Sequence, residues 1–203
     1  MSWTHEVMTR TACSLVQLCP QCCDVLVRAN VATDGGLAAG VAWKGGKDTA
    51  DPERHHMISG DISKMIIYKQ TAARQAAQAP TDAYIKNQVA LGVALFRGCS
   101  CNAALEQLGQ GLHALQDKWA HRKAGGLPIS DAEHRADMSY DDETDRANAG
   151  NFAMACGLTQ KYIEQVKRSS GCCCSQRATK GQVLPCRTLC DQEEYPPDPC
   201  CQR

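Results

Sequence analysis

Leucines at 105, 108, 112 and 115, continued by Trp119, recur at steps of three and four through residues 102–121. That rhythm dictates a helix with one apolar stripe. No stretch of the chain alternates with period two for long, so the reading is all-α. A compact multi-helix domain is expected over residues 1–168, with an irregular cysteine-rich tail over residues 169–203. Thr4 caps a first helix with apolar positions Val7, Met8, Ala12 and Leu15, ending near Pro20; a second spans residues 21–29. Gly35, Gly36, Gly40, Gly45, Gly46 and Pro52 make residues 30–60 a long loop, and such loops usually carry function. Asp61 or Ser63 opens a helix through Met65, Ile66 and Tyr68 that Pro80 stops, and Thr81 caps the next, which Gly98 ends. An acidic segment, residues 131–146, leads into a last helix from about Asp142 to Lys167, with Ala149, Phe152, Met154 and Ile163 expected to be buried.

Charge and cysteine content narrow the function classes. With 22 basic and 22 acidic residues the chain has no excess for a general electrostatic clamp on nucleic acid. No run approaches the roughly 18 apolar residues of a membrane span, and the first thirteen residues lack the basic start and apolar core of a secretory signal. The chain reads as soluble. Its 14 cysteines are far more than a reduced cytosolic domain carries, which points to disulfides and an oxidising destination reached without a recognisable signal peptide. Seven of them fall in the tail, from Cys172 to Cys201. Complete pairing of an odd set requires a bridge to the body, so the tail is expected to be stapled to it. Buried thiols packing as small hydrophobes are the alternative, and the triple Cys172-Cys173-Cys174 does not fit a zinc ladder.

The histidines carry the chemistry. His113, Asp117 and His121 are spaced by four in the strongest helix and share one side of it, with zinc-ligand residue types at zinc-ligand spacing. The same stripe lies nearly opposite the leucines, as the polar face of a surface helix also does. His5 lies on the first turn of the first helix, His55 and His56 form an adjacent pair, and His134 precedes Asp137 by three. Each has a carboxylate or a second histidine close by, so scattered surface histidines describe the set less well than they describe any one of its members.

His5-Glu6-Val7-Met8-Thr9-Arg10-Thr11-Ala12, Asn30-Val31-Ala32-Thr33-Asp34, His55-His56-Met57, the run from Gly111 to His121, and His134 with Asp137 follow one another in a familiar order. Over about residues 3–160 the chain resembles the zinc-dependent phospholipase C superfamily, which also holds the single-strand-specific zinc nucleases. The resemblance implies a helical domain holding two or three zinc ions in a cleft. By position, Asp34, His55, His113 and Asp117 would hold one ion; Asp117 would bridge to a second with His5; and His121, His134 and Asp137 would hold a third. Asp34 would be the general base, and clustered zinc would activate water and neutralise phosphodiester oxygens. Met1 and Ser2 precede Trp3, where secreted members begin with a ligating tryptophan. His55 or His56 can fill its position, and Asp141 or Asp142 can replace Asp137.

Three functions follow. The first is a zinc phosphodiester hydrolase, most concretely a phospholipase C acting on phospholipid at a membrane surface. Its damage to a producing cell points to an exported toxin or effector with an immunity protein as partner. The second is a single-strand-specific zinc nuclease, for which Trp3, Trp43, Tyr68 and Tyr140 would be stacking platforms. The third is a non-catalytic, cysteine-stabilised helical binding protein.

Overall fold

The computed structural model describes residues 2–33, 54–56, 58, 62–98, 100–120, 122, 127–130, 132–133 and 149–169. At the centre lies the leucine-rich helix, α5 (Cys101–Ala120), which packs against α2 (Pro20–Ala32), α4 (Gln78–Arg97) and α6 (Ala149–Ser169). The first helix, α1 (Ser2–Val16), packs on α2 and α6, and α3 (Ile67–Ala76) rests on α4. Among the described residues there is no strand; extended pairing is limited to the bridges Ile58 with Ser130 and Arg122 with Pro128. The all-α expectation holds.

Leu105, Leu108 and Leu112 are buried against Leu26, Val27, Phe96, Tyr162 and Ile163. Fully burying each leucine contributes about 2 kcal/mol. The face opposite the leucines is also enclosed: His113, Gln116 and Asp117 are all buried. With helices on three sides, α5 has no broad polar surface face. His113 and Asp117 belong to the interior.

Gly109 sets how close α2 comes. A Cβ there would lie 2.6 Å from Ala29 Cβ and 2.7 Å from the Leu26 carbonyl oxygen. Only a residue without a side chain allows this approach, which brings Asn30 of α2 onto α5.

Several sequence-based boundaries shift for identifiable reasons. The first helix stops at Val16, where Gln17 takes φ 54° and Leu18 N–H donates to the Cys13 carbonyl at 2.9 Å, a left-handed C-terminal motif. Pro20 then opens α2 at its first position, where its missing N–H is harmless. This helix runs past Ala29, so Asn30, Val31 and Ala32 are helical and not loop. Pro80 does not end a helix. It sits in the first turn of α4, where an N–H has no intrahelical acceptor. Thr81 is accordingly inside α4, with its hydroxyl on the Ala77 carbonyl, and is not a cap. The preceding helix begins at Ile67, after a turn in which Ile66 is extended. Leu15 and Met154 are exposed, contrary to expectation, while Val16, Ala155, Tyr162, Ile163 and Val166 fill the core positions of their helices.

Cys13 and Cys23 form a disulfide between α1 and α2, with Cα atoms 6.0 Å apart. Cys19, Cys22 and Cys101 are buried beside it in the same apolar cluster. The tail cysteines lie outside the described residues. No described helix is long and apolar enough to cross a membrane.

Candidate metal centre

Two helices and one turn bring four sequence-predicted ligands together. His113 and Asp117 stand one turn apart on α5, His5 comes from α1, and His55 comes from residues 54–56. All four are buried. Asp117 is the hub: its Oδ1 lies 3.0 Å from His5 Nε2, and its Oδ2 lies 3.1 Å from His113 Nε2 and 3.3 Å from His55 Nδ1. His113 Nε2 and His55 Nδ1 are 3.1 Å apart. The His5 and His113 rings stack with centroids 4.3 Å apart, and His55 meets His113 edge-on.

A second layer of amides and hydroxyls fixes the tautomers. His5 Nδ1 faces Gln116 Oε1 at 2.7 Å, and His113 Nδ1 faces Asn30 Oδ1 at 3.1 Å. Both partners are carbonyl oxygens, so each Nδ1 carries the hydrogen and donates it. Asn30 Nδ2 in turn donates to Thr9 Oγ1 and Gln116 Oε1, and Gln116 Nε2 donates to Thr9 Oγ1 and Thr159 Oγ1. Thr9 donates its own hydroxyl hydrogen to the His5 carbonyl. Each amide is thereby held in one orientation, with its oxygen toward a histidine.

With Nδ1 as the donor, a neutral His5 or His113 directs its Nε2 lone pair at an Asp117 oxygen. At about 3 Å that approach needs positive charge between the two, supplied either by a proton on Nε2 or by a metal ion. The spacing suits a metal ion: ligands of tetrahedral zinc at about 2.0–2.1 Å stand about 3.3 Å apart, close to the separations of 3.0–3.3 Å found here. Histidine held by a carbonyl at its other nitrogen is also the usual outer arrangement of zinc sites. His5, His113 and Asp117 form a donor group that could hold a metal ion. The donor set fits.

The two adjacent histidines, His55 and His56, take different surroundings. His55 joins Asp117 and His113, whereas His56 turns away with φ 49°, a left-handed conformation in which histidine is enriched among residues other than glycine. His56 is fully buried, and neither ring nitrogen has a hydrogen-bond partner. Burial, with Lys118 and Arg122 nearby, lowers its pKa from 6.5 to about 4. Around it, Lys118 pairs with Asp82, and the Arg122 guanidinium covers the Trp119 ring at 4.1 Å. Arg74 ties Pro128 and Glu133 to the body through the Pro128 carbonyl at 2.6 Å and both Glu133 oxygens.

Four of the eight expected ligands therefore converge: His5, His55, His113 and Asp117. The other four, Asp34, His121, His134 and Asp137, lie outside the described residues. Sequence reasoning missed Asn30, Gln116, Thr9 and Thr159 as the layer that orients the histidines. A signal existed, because Thr9 is one turn from His5 and Gln116 is three residues from His113, so each shares a helix face with its ligand. Comparison with family models, with curated proteins and with solved structures finds no match for this chain.

Proposed function

We propose that the chain is a zinc-dependent phosphodiester hydrolase, most concretely a phospholipase C that removes phospholipid head groups. The observation that carries the reading is the buried donor group in which His5 Nε2 and His113 Nε2 face the two oxygens of Asp117, with His55 alongside. Bound zinc would supply Lewis acidity, activating water and neutralising charge on a phosphodiester.

The protein's own residues would do the following. Asp117 would hold bound zinc together with His5, which faces its Oδ1, and with His55 and His113, which face its Oδ2. Gln116 and Asn30 keep Nδ1 protonated on His5 and His113, so that both Nε2 atoms remain ligands. Asp34, through the resemblance alone, would accept the proton of the attacking water. His121, His134 and Asp137 would complete a third position.

The lipid substrate is preferred to single-stranded nucleic acid because Tyr68 stands in an exposed aliphatic run; the other stacking candidates, Trp43, Tyr140 and the Trp3 side chain, lie outside what is described. The Cys13–Cys23 disulfide and the lack of a spanning helix among the described residues are compatible with an oxidising compartment, and we place the activity there, as an exported toxin or effector.

The test is hydrolysis of phosphatidylcholine and of single-stranded DNA by zinc-loaded protein, alone and with a chelator. The proposal expects chelator-sensitive release of phosphocholine that the His113→Ala variant lacks. Cleavage of DNA alone would move the substrate to nucleic acid. Zinc-loaded protein inert toward both would remove the enzymatic reading.

A further inference from the structure

Met65, Ile66, Ile67 and Tyr68 are 43%, 56%, 82% and 66% exposed. Elsewhere among the described residues the exposed large apolar residues stand singly, Leu15 on α1, Leu91 on α4 and Met154 on α6, which is ordinary for a protein surface. Four in succession are not. Lys64 and Lys69 flank the run and are exposed as well. From Ile62 to Thr81 the chain holds no acidic residue, although it is neutral as a whole.

The run is held in shape. Ile62, just before it, is buried and anchors the turn, and Met65 N–H donates to the Ile62 carbonyl at 3.0 Å. Gln70 Nε2 folds back to donate to the Met65 carbonyl at 2.7 Å. Little conformational entropy is left to lose when the apolar tips are covered. The positive end of α3 lies at the same place, with no acidic residue in its first turn to offset it.

We propose that Met65, Ile66, Ile67 and Tyr68, framed by Lys64 and Lys69, form a docking surface for an anionic phospholipid bilayer. Aliphatic tips that enter the acyl boundary, a tyrosine at head-group depth and lysines at the phosphates are the chemistry of interfacial binding. One short segment links the surface to the metal centre: Ile58, three residues after His55, donates its N–H to the Ile129 carbonyl, and Arg74 of α3 donates to the neighbouring Pro128 carbonyl. The choice of a lipid surface rests on the phospholipase reading of the site; binding itself is measured without turnover.

The test uses the full chain, its Ile66→Ser/Ile67→Ser variant and its Lys64→Gln/Lys69→Gln variant. Sedimentation with phosphatidylcholine vesicles containing a quarter phosphatidylglycerol reads binding, and a monodisperse phosphodiester, bis(p-nitrophenyl) phosphate, reads chemistry. All the substituted residues are exposed, so melting temperatures should match. The expected result is a loss of vesicle partitioning of roughly tenfold or more for the serine variant. Each lysine removed should weaken binding about fivefold at low salt and less at high salt. Turnover of the soluble ester should be unchanged in both variants. Equal binding by the serine variant and the parent would overturn the proposal, as would a parent dimer that the serine substitutions dissociate, since a second copy would then be the occupant. Vesicle binding lost in the serine variant, with no hydrolysis by any form, would keep the docking surface and remove the hydrolase reading. Hydrolysis of the soluble ester without vesicle binding would do the reverse.

Discussion

Replacing Gly109 with alanine should separate helix propensity from close packing. In an open helical position the change gains about 1 kcal/mol. Gly157 on α6 is such a position, with nothing within 4 Å of an added Cβ. At Gly109 the added carbon meets Ala29 Cβ at 2.6 Å, the Leu26 carbonyl oxygen at 2.7 Å and Asn30 N at 3.1 Å. Carbon atoms pack at about 3.5–4.0 Å, so α2 must retreat by about 1 Å, and backbone cannot swing aside as a flexible side chain can. Such overpacking costs about 1–3 kcal/mol, which outweighs the propensity gain. The two alanine variants should differ by about 1–3 kcal/mol, or roughly 3–10 °C in melting temperature at this chain length. The retreat also stretches the 3.1 Å contact between Asn30 and His113 beyond hydrogen-bonding range. Zinc affinity should then fall about 10–100-fold, as for other outer-layer losses. Thermal melting and competitive zinc titration of Gly109→Ala and Gly157→Ala together make the assay. If Gly109→Ala melts as high as Gly157→Ala and binds zinc like the parent, the account of how α2 is held against the site is wrong.

Asn30→Leu should weaken zinc binding by a similar factor, because His113 loses the acceptor that fixes its tautomer, and NMR of the imidazole nitrogens would follow the tautomer directly. Chelation should lower the melting temperature of the parent, since bound metal is linked to the folded state, and zinc should restore it; an unchanged melt would count against a resident ion. His56 predicts an acid limit. Its folded pKa near 4 lies below the ordinary 6.5, so the unfolded chain takes up a proton first and stability falls as pH drops between those values. The loss amounts to at most about 3 kcal/mol. Denaturant melts at pH 7 and pH 4.5 should show a smaller drop for His56→Leu than for the parent.

The ligand-bearing helices were the most legible part of the chain, since Leu105, Leu108 and Leu112 repeat strongly enough to fix both a helix and its buried face. The same wheel left His113 and Asp117 undecided between an exposed face and a ligand face. That ambiguity is physical: one helix wheel cannot report how many neighbours surround it, and here α2, α4 and α6 enclose α5. Pro80 misled because a proline that stops one helix and a proline in the first turn of another leave the same local signature. The pairing within the amide layer was hidden for a different reason. Asn30 and Gln116 are 86 residues apart and meet only after the close approach at Gly109, a long-range event that no local pattern records.

The central claim is that His5, His55, His113 and Asp117 form a metal-binding cluster, and zinc content tests it most directly. Protein purified without chelators and dialysed against trace zinc should carry at least one zinc per chain by elemental analysis. The Asp117→Asn variant, nearly the same in shape, should lose most of it while remaining helical. A well-folded parent holding no zinc above background, or an Asp117→Asn variant holding as much as the parent, would contradict the account.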